Sequence, residues 1–168
     1  MIPVKTMTAG FITLALASDV LTAQSPANVS DATRAFSEFS TSVKAFGVLA
    51  STSDCSSEDC ARSRQAMLDR VADDARRFLR ASPELRTIIA TRLKDGTLSS
   101  ADALEATTHL RNFERLATAS IHFAEAMHRV AAAHTMKDTR DATNAARIIR
   151  TDFEDAFEAA SADYKPGH

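Results

Sequence analysis

From Ala32 onward, apolar residues recur along the chain in steps of three and four. Ala32, Phe36, Phe39, Val43, Phe46 and Ala50 do so first, and that spacing lines one face of a helix packed in a bundle. It predicts a helix over residues 30–50. A second stripe, Ala61, Leu68, Val71, Ala75, Phe78 and Leu79, predicts another over 57–80. Ser82-Pro83-Glu84 then reads as a fresh start, with Ser82 as N-cap, Pro83 at N1 and Glu84 in the first turn. The short helix so begun would turn Leu85, Ile88, Ile89 and Leu93 inward and stop at Gly96.

Ser99 or Ser100 caps a fourth helix whose pattern continues to Thr135, with Leu110, Phe113, Leu116, Phe123, Met127, Val130 and Ala131 on its stripe. A fifth, over 139–162, would bury Ala142, Ala146, Ile149, Phe153, Phe157 and Ala160. No strand-like alternation of useful length interrupts them. The fold expected is therefore all-α: an antiparallel helical bundle of four long helices plus one short helix. Its ordered core should run from about residue 30 to 162. Composition agrees, with no tryptophan, one tyrosine and few glycines or prolines between the ends.

Residues 1–23 stand apart from this pattern. Lys5 precedes an apolar run from Met7 to Ala17, and small residues follow, which is the outline of a secretory signal peptide. Cleavage after Ala23 would leave Gln24 first, with Ala15-Leu16-Ala17 as a second small-x-small site. The run is short of the roughly 20 apolar residues that span a bilayer. The expected organisation is a signal peptide over 1–23 and a single helical-bundle domain over 24–168, periplasmic or secreted and not integral to a membrane after cleavage. The plainer alternative is an ordinary N-terminus on a cytosolic protein.

The cysteines bear on the same question. Cys55 and Cys60 are the only two in the chain, in the stretch SDCSSEDCARS. Ser56-Ser57-Glu58-Asp59 fits an S-x-x-D capping pattern with Ser56 as N-cap. Cys55 would then occupy N′ and Cys60 N4, the two positions a hydrophobic staple brings together. Within one continuous helix an i,i+5 pair diverges too far to bridge; across a cap it can meet. A structural Cys55–Cys60 disulfide is expected, stabilising by about 2 kcal/mol on a chain-entropy estimate and consistent with an oxidising compartment. A redox C-x-x-C is absent, and zinc would need two further ligands at recognisable spacing.

Charge adds one contrast. The formal net charge is −2, which gives no reason to expect nucleic acid as a partner. Yet Arg76, Arg77, Arg80, Arg86, Arg92 and Lys94 crowd one stretch against Glu84, while Asp152, Glu154, Asp155, Glu158 and Asp163 crowd another without a base. Arg76, Arg77 and Arg80 are the candidate partner-binding residues, by electrostatic steering of an acidic protein. Mutual or solvent neutralisation of the two stretches is the competing reading.

Groupings that carry chemistry are weak. Glu125-Ala126-Met127-His128 matches one Glu-x-x-His, whereas di-metal bundles need two copies and two further glutamates. Glu125 falls well off the apolar stripe, and His122, Glu125 and His128 read as a polar flank. His109 and His134 fall on the apolar side of the fourth helix, and with Met67 and Met127 they are the conceivable axial donors to a noncovalent haem. No C-x-x-C-H, G-x-S-x-G, S-x-x-K or phosphate-cradling glycine loop occurs. No catalytic, cofactor-binding or metal residue is assigned. The expectation is a non-enzymatic exported bundle that binds a protein partner, such as an inhibitor, immunity or envelope-machinery accessory protein; the alternative is a bundle binding a metal ion or noncovalent haem.

Overall fold

The computed structural model describes residues 30–52 and 57–162. The signal-peptide segment, Cys55 and the tail after Ala162 lie outside the described residues. Among the described residues four helices follow in order: α1 (Asp31–Thr52), α2 (Glu58–Lys94), α3 (Ser100–Ala131) and α4 (Met136–Ala162).

The expected short helix does not exist as a separate element. Residues 82–94 continue α2, which carries Pro83 in its interior. Proline has no N–H to give to the carbonyl four residues back, here Leu79. Ser82 supplies the missing donor: its Oγ bonds the Leu79 carbonyl at 3.2 Å. Leu85 and Ile89 beyond the proline are buried in the common core, so packing holds the helix on course. Ser82 is thus a repair inside a helix rather than a cap at its start.

Other boundaries move less. The N-cap of α2 is Ser57, not Ser56; its side chain accepts from the Cys60 N–H at 3.2 Å. Cys60 therefore sits at N3 rather than N4, one place off the staple register. Ser30 caps α1 by accepting from Thr33 N at 3.2 Å, and Ser99 caps α3 by accepting from Asp102 N at 3.1 Å. Helix α3 ends at Ala131, short of Thr135, and His134 lies exposed in the link to α4. Gly96 in the α2–α3 turn has φ +75°, with open space where a Cβ would stand. Its requirement for glycine comes from the backbone angle.

Helix direction can be read from cross-contacts. Phe36 lies against Phe113 (4.8 Å between ring centres) and Phe46 against Phe123 (6.5 Å), so α1 and α3 run the same way. Asp69 meets His128 and Arg86 meets Glu114, so α2 runs opposite to α3. Each helix packs on its sequence neighbours. Phe46 also reaches Phe153 across the bundle at 6.0 Å, tying α1 to α4. The result is an up-down-up-down bundle with two phenylalanine layers. Phe39 stacks on Phe78 at 5.4 Å in the first, and Phe123 stacks on Phe153 at 5.4 Å in the second. Such pairs add about 0.5–1.5 kcal/mol each beyond area burial.

Beside the layers, buried Ala72, Ala75, Ala117 and Ala124 let the helices approach closely. Buried hydroxyls are satisfied within their own helices, as Ser42 Oγ bonds Phe39 O and Ser120 Oγ bonds Leu116 O. No described helix is long and apolar enough to cross a membrane.

Candidate docking surfaces

Along the outer seam between α2 and α3, a row of polar side chains closes over the alanine floor. Asp69 Oδ1 lies 2.8 Å from His128 Nε2 and accepts from Gln65 Nε2 at 2.9 Å. Arg76 spans Asp73 at 2.9 Å and Glu125 at 3.6 Å. Asp69, Asp73, Arg76, Glu125 and His128, with Ala72 and Ala124, line a small cleft of about 150 Å³. Further along, Arg86 holds both oxygens of Glu114 through one guanidinium edge, Nε donating to Oε1 at 3.2 Å and Nη2 to Oε2. Each carboxylate in the row meets a donor from the facing helix or from its own.

On the other flank of α2, Asp74 is buried at 3% side-chain exposure. Arg77 bonds its Oδ1, and Arg70 stands 4.0 Å from Oδ2. The bond and charge of Asp74, with Glu38 and Asp73 adding, raise the Arg77 pKa further above its ordinary value. An aspartate at this position carries no sequence mark of burial; only the fit of α1 against α2 reveals it.

The three candidate partner-binding arginines thus part company. Arg76 and Arg77 are engaged within the subunit, while Arg80 is exposed and makes no ion pair among the described residues. The Glu-x-x-His pair is brought to the seam, where Glu125 serves Arg76 and His128 serves Asp69. His109 packs on Phe113 at 4.9 Å, far along α3 from the exposed link that holds His134. His122 is exposed, and Met67 and Met127 pack against the core edge. No group of three or more His, Cys, Asp or Glu among the described residues could hold a metal ion. Among the described residues no cysteine is free.

Helix α4 presents the opposite case. Its inner side buries Ala146, Phe153, Ala156 and Ala160. Its outer side exposes Arg140, Arg147, Asp152, Asp155 and Glu158, none of them in an ion pair among the described residues. Glu154 is the paired acid, accepting from Arg150 Nε at 2.7 Å. In the middle of this face Ile148 is 65% exposed, although its neighbour Ile149 turns inward as its spacing predicts. Met136 stands 93% exposed at the helix start. The sequence carries the signal for the exposure of Ile148, which lies off the stripe of Ala142, Ala146, Ile149 and Phe153. No protein-family model matches the chain, and comparisons with curated proteins and with solved structures find no match either.

Proposed function

We propose that this chain is a small exported helical-bundle protein, periplasmic or secreted, that acts non-enzymatically by binding a protein partner. Inhibitors, immunity factors and accessory pieces of envelope machinery work in this way. The export half rests on the leader outline of residues 1–23, and it carries with it the pairing of Cys55 with Cys60. The binding half rests on one observation: the outer face of α4 keeps its charges open around an exposed Ile148, while the arginines of α2 are largely used up inside the fold.

Exposed charge without an internal partner is free to steer and orient a docking protein. The contact therefore moves from the Arg76–Arg80 stretch, where Arg80 stays open, to the outer face of α4. Mature protein from the native envelope, immobilised and challenged with its own extract, should retain its partner. Asp152→Lys, Asp155→Lys and Glu158→Lys together should abolish retention, whereas Arg80→Glu should leave most of it. Equal retention by the α4 triple variant and the wild type would refute the reading.

A further inference from the structure

The open face of α4 has an internal order that names its occupant, provided the reading of α4 as a docking face holds. Arg140 and Glu158 are exposed and lie 18 residues apart, which is five full helical turns. They therefore share one line along the helix, about 27 Å apart, too far to meet within one subunit. Their midpoint falls beside Ile148, the exposed apolar residue of the face. Before that midpoint Lys137, Arg140 and Arg147 outnumber Asp138 and Asp141, and after it stand the acids Asp152, Asp155 and Glu158, all exposed.

A face with opposite charge on either side of an apolar centre is complementary to itself when turned end for end. We infer that the α4 outer face binds a second copy of this chain, as an antiparallel α4–α4 pair about a two-fold axis near Ile148. Arg140 of each copy then faces Glu158 of the other, so one kind of contact is made twice by symmetry. The two Ile148 side chains meet close to the axis, and Asn144 approaches Asp155 of the other copy as a hydrogen-bond donor. The cost is Asp141, which comes near the same Asp155, with Lys137 one turn away to offset it. A single helix pair is smaller than the standard interface of about 1,600 Å², and exposed ion pairs are individually weak. Association on the order of micromolar is what such a surface supports.

The test is sedimentation equilibrium of the mature protein at low salt, from about 1 µM to about 1 mM, with circular dichroism confirming that each variant is helical. Wild-type protein should form dimers. Arg140→Glu and Glu158→Arg should each weaken them about tenfold, since each sets two like-charge pairs across the axis. The doubly swapped chain should recover to within about threefold of wild type, and Ile148→Lys should dissociate it at every concentration. A wild type that stays monomeric throughout, or a double swap no tighter than the single ones, overturns the inference. If that monomer still captures a different protein through Asp152, Asp155 and Glu158, the docking face survives and the second copy does not.

Discussion

The α2–α3 seam and the outer face of α4 have similar residue types and opposite fates. Both carry arginines, aspartates and glutamates at helical spacing. In the seam a second helix stands opposite, and the pairs Arg76–Glu125, Arg86–Glu114 and His128–Asp69 join the two. On α4 the same chemistry faces outward, and apart from Arg150–Glu154 it makes no ion pair among the described residues. The lesson is that a charge cluster reports availability only after the helix pairing is known. Seam charges are paired inside the fold, and Arg140, Arg147, Asp152, Asp155 and Glu158 of α4 make no ion pair among the described residues.

That contrast can be broken by stability measurements. The largest effect should come from Arg86→Ala, which leaves Glu114, at 15% side-chain exposure, without its bidentate partner. Urea unfolding should show a loss of about 1–2 kcal/mol, while Arg140→Ala on α4 should stay within about 0.5 kcal/mol of wild type. Equal losses at the two positions would erase the distinction between seam and face.

A smaller effect sits within α2 itself. Ser82→Ala should cost about 1 kcal/mol by stranding the Leu79 carbonyl. In a Pro83→Ala background, where the backbone N–H returns, the same change should cost almost nothing. A double-mutant cycle that comes out additive would mean that Ser82 does not stand in for the proline's missing donor.

The smallest effect belongs to the turn closing the seam. Side-chain and backbone hydrogen bonds from Thr97 hold the exposed Asp95 carboxyl below its ordinary 3.8, with Arg92 helping. Its folded pKa is depressed, so its contribution is complete above the unfolded value and fades as pH falls through the folded one. Nuclear magnetic resonance titration should place the Asp95 carboxyl below its ordinary value. Thr97→Ala should move it up toward the ordinary value, and no movement would remove the turn's share of the acid sensitivity.

Much of this architecture is legible in the pattern. Phe36, Phe39, Val43 and Phe46 were readable as one face of α1, and they are buried together. The stripe of α3 from Leu110 to Ala124 was equally plain. Pro83 was not, because Ser-Pro-Glu is locally the same sequence whether it opens a helix or is absorbed by one. What decides is whether the residues beyond it have a core to enter, and Leu85 and Ile89 do. Leu93 was expected inward and stands 43% exposed, near the α2–α3 turn, while Ala126 was passed over and is buried.

The chain's own periodicity settled that it would be helical and that Phe36, Phe39, Phe78, Phe113 and Phe153 would turn inward, though not that the third stripe would continue the second helix. Those properties follow from side-chain spacing on a single helix, which is a local matter. Which charges are spent and which remain open depends on what lies across a groove, often dozens of residues away in sequence. Asp74 became buried, Glu114 became bound and Ile148 was left outside only when four helices took their places beside one another.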